Sequence, residues 1–292
     1  AVADDVDDEP CVITLSTSGQ IGRVPAEGGK RATPGRHDVL VSSVLTRTTS
    51  MVTAVTSEGR ALQALAAELA DGQGRARGAG AAQAFGTNRG EVIETLTAEG
   101  DEHLVLVTSL GLAKRLTLEE VRNTRGGKTL LKLKPGDRVT AAFTSPDGID
   151  VVLVSSDGQV LRTPIDGIST QGRGAGGVAG MKVRPGATVV AACPVLADDP
   201  LVTVTSDACI KATPIAEFET KGRGGVGVRV TKLADGASLT MAYIGPTMGL
   251  LAVMASDDDP RKPDPTPVPL ILDATGRDLV SPASERQILA LG

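Results

Sequence analysis

Any chemistry in this chain has to be sought among its cations, because the side chains that usually catalyse reactions are sparse or isolated. The two histidines, His37 and His103, stand without Cys, His or paired carboxylates at metal-ligand spacing. No nucleophile elbow surrounds a serine, and the carboxylates are too scattered to nominate an acid/base pair. Gly172-x-Gly174-x-x-Gly177 and Gly222-x-Gly224-x-x-Gly227 spell a dinucleotide fingerprint, but each leads into a β-like segment instead of a helix, which argues against a cofactor there. Gly127-Lys128-Thr129 ends like a phosphate loop, yet Arg122 occupies the place of the required earlier glycine. No active site, metal or cofactor is expected.

The basic residues, by contrast, recur in phase. Six hairpin turns mark the phase, at Gly19, Gly59, Gly111, Gly158, Ala208 and Gly276. Four positions after the turn lie Arg23, Arg115 and Arg162, and at the third lie Lys114 and Lys211. Around fifteen positions after it come Arg36, Arg75, Arg77, Arg125, Arg173 and Arg223, with Lys30, Arg31, Lys128, Lys221 and Arg229 nearby, most of them among glycines. Glycine lets backbone N–H groups approach an anion, and arginine supplies forked donors for phosphate oxygens. Such a set grips a nucleic-acid backbone without reading bases. Solvated loop arginine is the bland alternative for any one of these positions.

The elements that must position these cations are short strands. Each turn follows an apolar run: Val12–Leu15, Val52–Val55, Leu104–Val107, Val151–Val154, Leu201–Val204 and Pro269–Leu272. The turns are spaced by 40, 52, 47, 50 and 68 residues. A period near fifty built of hairpins predicts an all-β ring of propeller-like blades. A second set of turns, Lys132-Leu133-Lys134-Pro135-Gly136, Lys182-Val183-Arg184-Pro185-Gly186 and Lys232-Leu233-Ala234-Asp235-Gly236, repeats every 50 residues. Equivalent positions on successive blades would line the cations up as a belt on one rim.

The net charge of −5 over 292 residues conceals this pattern, since Asp4, Asp5, Asp7, Asp8 and Glu9 alone supply that charge. With one Tyr, three Phe and no Trp, the chain lacks the stacking platforms of a single-strand binder. No stretch is long and apolar enough to span a membrane, so no membrane partner is expected. Cys11, Cys193 and Cys209 have no CxxC spacing and read as buried thiols of a reducing compartment. We divide the chain into an acidic tail or linker at 1–9, a six-repeat ring at 10–283 with a Pro/Asp-rich insert near 255–268, and a C-terminal tail at 284–292.

Residues 151–186, VVLVSSDGQVLRTPIDGISTQGRGAGGVAGMKVRPG, resemble a repeat of the C-terminal domain of bacterial type IIA topoisomerase A subunits, and residues 200–233 match as well. The resemblance implies a six-bladed β-pinwheel of four-stranded blades that binds and bends duplex DNA around its rim, without a catalytic site of its own. It implies as DNA contacts Lys30, Arg31, Arg36, Arg75, Arg77, Lys114, Arg115, Arg125, Lys128, Arg162, Arg173, Lys211, Lys221, Arg223 and Arg229. It also implies a cytoplasmic, nucleoid-associated holoenzyme in which an ATPase B subunit, together with the catalytic region of the same A subunit, is the partner. ATP and Mg would then belong to other domains. Gyrase A subunits carry a Gln-Arg-Arg-Gly-Gly-Lys-Gly box after the first hairpin; here Ala26-Glu27-Gly28-Gly29-Lys30-Arg31-Ala32 keeps only Gly-Gly-Lys. That departure favours topoisomerase IV over gyrase. The rival expectation is a propeller-like scaffold that binds protein.

Overall fold

A computed structural model describes residues 6–27, 36–69, 79–100, 102–123, 127–259, 262–264 and 266–292. Among them the strands form six small antiparallel sheets, one per blade, as the sequence period predicts. Blade four shows the plan: Val189–Val195 innermost, then Asp150–Ser155, then Gln159–Pro164, then Val228–Arg229 at the outer edge. The outermost strand comes from the next repeat. Likewise Val178–Ala179 of repeat four pairs with Leu112–Thr117 of blade three, and Ala79–Gly80 of repeat two with Gln20–Pro25 of blade one. Blades two, five and six have three strands among the described residues, and in two and five the donated segment makes single bridges, Arg60 to Thr129 and Cys209 to Ala283.

This exchange explains why the strands are mostly apolar on both faces instead of alternating. Val151 and Leu153 pack with Val105 and Val107 of blade three, while Val152 and Val154 pack with Leu201, Ile215 and Phe218 of repeat five. One strand feeds two cores, so both of its faces must be hydrophobic. Five such clusters join consecutive blades from one–two to five–six; no comparable cluster joins six to one among the described residues. At that joint Gly292 approaches blade one so closely that an added Cβ would stand 2.3 Å from the Leu40 carbonyl oxygen.

The hairpin turns depend on positive φ. Gly111, at φ 83, also lies so close to blade four's connecting chain that a Cβ would stand 2.1 Å from the Met181 carbonyl oxygen. Both conditions demand glycine.

Repeat six is placed differently from the sequence expectation. Its first strand is Leu251–Met254, 50 residues after Leu201, and not Pro269–Leu272. The segment 255–267 stands in place of the tight turn, leading to Val268–Pro269 as the second strand. The expected C-terminal tail contributes Ile288–Leu291 as the inner strand of blade six.

A candidate nucleic-acid interface on the outer rim

The inner strands surround a channel of about 580 Å3, to which the blades contribute Val41, Glu94, Phe143, Cys193, Tyr243 and Leu289 in turn. Burial pushes the Cys193 thiol up to about 11, which leaves it un-ionised and unreactive at neutral pH. Among the described residues no group of His, Cys, Asp and Glu could hold a metal. His103 lies 3.0 Å from Asp147, which also meets Arg115 at 3.3 Å, on a hairpin edge.

The opposite, outer edge is formed by the exchanged segments. Thr170 bridges Arg115 and Gln171 N–H donates to the Arg115 carbonyl; Thr220 bridges Arg162 and Lys221 N–H donates to its carbonyl. Segment 274–283 repeats this on blade five, with Ala274 bridging Ala212 and Thr275 N–H donating to its carbonyl. Gly276-Arg277 therefore occupies the place of Gly172-Arg173 and Gly222-Arg223. Gly276 is a rim-loop residue and not the hairpin turn that sequence spacing suggests.

The hairpin cations do not join the rim. Lys114 and Lys211 are 0% and 1% exposed, so neither presents an ammonium to a ligand. Lys114 Nζ donates to the carbonyls of Leu130 at 2.7 Å, Arg173 at 3.0 Å and Ala175 at 2.7 Å. Lys211 Nζ donates to those of Val230 and Leu279, both at 3.1 Å. Burial lowers both lysine pKa values, while Glu120 near Lys114, and Asp278 and Glu217 near Lys211, act in the opposite sense. These lysines are ties: each binds its own repeat's connector and the next repeat's rim loop at matching positions.

Arg115 and Arg162 are also ties. Arg115 donates to the Ile165 carbonyl at 3.2 Å and to Asp166 at 3.0 Å; Arg162 donates to the Ile215 carbonyl at 3.3 Å and to Asp150 at 2.7 Å. Ile165 and Ile215 are equivalent residues of successive repeats, so the in-phase recurrence of these arginines reflects the joint between blades. Periodicity alone does not separate a joint from a ligand surface, and at these hairpin positions it marks a joint.

Of the loop cations, Lys128, Arg173, Lys221, Arg223 and Arg229 lie on or beside the exchanged segments, whereas Arg36 sits in the turn that leads into the inner strand of blade one. Arg173 is half-buried, 3.4 Å from Glu120 and donating to the Asn123 carbonyl. Arg223 is exposed and donates to the Gly167 and Ala179 carbonyls, which hold it across the seam between repeats. Arg229 is exposed but paired with Asp278 at 2.7 Å, an arrangement that holds the Asp278 carboxyl below its usual range. Arg36, Lys128 and Lys221 are exposed, with no carboxylate partner among the described residues. Lys30, Arg31, Arg75, Arg77 and Arg125 lie outside the described residues.

A further set of cations escapes the sequence reading. Lys132, Lys182 and Lys232 are exposed at equivalent places on the connectors of blades three, four and five, without carboxylate partners among the described residues. They adjoin the rim loops, since Lys182 N–H donates to the Gly225 carbonyl and Lys232 bridges Val280. The 50-residue recurrence of Lys-x-x-x-Gly carries the signal, but turn chemistry alone accounts for that pattern in the sequence.

The family described as "DNA gyrase C-terminal domain, beta-propeller" matches residues 102–146, 150–195 and 199–242, which are repeats three to five. The DNA gyrase A subunit of Leptospira biflexa serovar Patoc is 28% identical over 184 residues, covering 58% of this chain and 22% of the relative. Its Kosmotoga olearia counterpart is 29% identical over 194 residues, covering 61% and 24%. The chain thus spans about a fifth to a quarter of the length of these curated relatives. In fold it is similar to the C-terminal domain of DNA topoisomerase IV, at TM-score 0.83 and 19% identity over 98% of this chain and 94% of that one. The DNA gyrase A C-terminal domain gives TM-score 0.67 at 20% identity, over 97% and 99%.

The fold is that of a β-pinwheel, as in the C-terminal domains of DNA topoisomerase IV and DNA gyrase A. In sequence the match to the gyrase-type family is carried by repeats three to five, the repeats that also bear the exposed lysines.

Proposed function

We propose that the outer rim binds and bends duplex DNA for a type IIA topoisomerase whose cutting and ATP-consuming parts lie in other domains. The observation that carries this reading is the set Lys132, Lys182 and Lys232, exposed and 50 residues apart, beside loops bearing Lys128, Arg173, Lys221 and Arg223. Matching positions on neighbouring blades turn point charges into a curved track. Bending 20–30 base pairs through 40–90° costs on the order of 1–6 kcal/mol. Counterion release offsets that cost, and each phosphate engaged contributes a slope of about −0.9 in log affinity against log salt. The bent duplex would be offered to the catalytic region of the same polypeptide, working with an ATPase B subunit on the nucleoid.

The incomplete box at residues 26–32 supports a topoisomerase IV-like role, in which DNA is bent without a supercoiling wrap. The gyrase names of the sequence relatives favour the second reading, a chiral wrap. Relaxing closed circular DNA with a separate nicking-closing enzyme, with and without this chain, tests both. Binding with no change in linking number supports the first reading, and a chain-dependent shift supports the second. A protein-binding scaffold would show neither a linking shift nor salt-steep duplex affinity.

A further inference from the structure

The rim loop of repeat four differs from its counterparts in a way that its cations do not explain. Its glycines, Gly174 and Gly176, are exposed, and a Cβ on either would meet nothing within 4 Å. Beneath it, Lys114 Nζ holds the carbonyls of Arg173 and Ala175. No peptide bond among the described residues is cis. In a trans peptide, C=O and the following N–H point in opposite directions. Carbonyls drawn inward at 173 and 175 therefore turn the N–H groups of Gly174 and Gly176 outward, and neither finds a hydrogen-bond partner among the described residues.

The other loops spend the donor that corresponds to Gly174. On blade four Leu161 stands where blade three has Lys114, Gly224 N–H donates to the Gly180 carbonyl at 2.6 Å, and the Gly225 carbonyl accepts from Lys182 N–H. On blade five Asp278 N–H donates to the Val230 carbonyl, and the Asp278 carboxylate would repel an anion. Blade three alone, among the described loops, combines two outward amides with a buried ammonium below them. That ammonium forms no ion pair among the described residues; Glu120, the facing acid, is engaged with Arg173 at 3.4 Å. Its charge is left to favour an anion on the loop's outer side.

We infer that Lys114 is a positioning residue for a backbone phosphate site, in which the amides of Gly174 and Gly176 grip one phosphodiester of the duplex. This rests on the duplex-binding reading given above. Lys114 itself touches no phosphate. It sets the loop so that the amides do.

The test is an amide NMR titration of the 292-residue chain with a duplex of about 25 base pairs, beside salt-dependent affinity for wild type and Lys114→Met. The expected result in wild type is a saturable shift of the Gly174 and Gly176 amides, larger than at Gly224, with inorganic phosphate moving the same two amides. In Lys114→Met these shifts vanish and affinity falls about 5- to 10-fold, with the salt slope unchanged because no phosphate contact by a cation is lost. A slope shallower by about 0.9 would mean that Lys114 meets phosphate directly, and would overturn the positioning role. If Lys114→Met does not fold, the wild-type titration decides alone. Tight duplex binding with still amides at 174 and 176 removes this site and leaves the rim reading standing; no duplex binding at all removes the rim reading first.

Discussion

Ala208 takes φ 62 at the hairpin turn of blade five, where Gly19, Gly59, Gly111 and Gly158 take φ between 70 and 83. A Cβ in the left-handed region costs about 1–2 kcal/mol, and Ala208→Gly removes that strain against a smaller gain in the freedom of the unfolded chain. The expected gain is about 0.5–1 kcal/mol, read from urea unfolding. A second residue sets a pH dependence. Burial in the channel raises the Glu94 carboxyl from 4.5 to about 7, with Arg138 offsetting part of the effect. The folded state then binds this proton more tightly than the unfolded state, so the group's contribution to stability falls as pH rises from about 4.5 to 7. Glu94→Gln should flatten that fall and add about 1–2 kcal/mol at pH 8, with water in the channel moderating the gain. Equal slopes for the two proteins in unfolding between about pH 5 and pH 8 would show that the carboxyl is hydrated.

Elements succeed or fail at their joints. Arg60, beside the turn glycine of blade two, bridges Thr129 of the next repeat and binds Glu91, whose side chain is fully buried. Glu91 also accepts from Asn88 N–H at 2.8 Å, and although burial raises its pKa, the Arg60, Thr56 and Asn88 hydrogen bonds outweigh that and hold it below the usual range. Glu91→Ala leaves Arg60 with only Glu58, at 3.8 Å, and should cost about 1–3 kcal/mol in thermal or urea unfolding. The hairpins are legible in the sequence because strands feeding two cores are nearly all apolar and the turns of blades one to four carry glycine. Repeat six is not, because the segment 255–267 replaces its turn and Gly276 imitates one. Lys114 misleads in another way: a lysine three residues past a turn looks like a surface residue until the next repeat's loop folds over it. The exposed Lys132, Lys182 and Lys232 are visible by their spacing but concealed by their place in a turn.

The whole molecule is a ring in which strand exchange fastens neighbouring blades, and the six–one joint is the exception. Amides of Leu251–Met254 and Ile288–Leu291 should therefore exchange hydrogen faster than those of Val151–Val154, which lie between two cores. On the proposed reading, function at this scale depends on charge summed around the curve: exposed cations on blades three to five form one phosphate track while the buried lysines hold it in shape. The most direct measurement is duplex affinity across a salt series for wild type and for the triple variant Lys132→Ala, Lys182→Ala, Lys232→Ala. We expect a wild-type slope of about −5 that becomes shallower by about 2.7 in the variant, the sum of three phosphate contacts, with unfolding unchanged. A variant that binds with the wild-type slope would contradict the track.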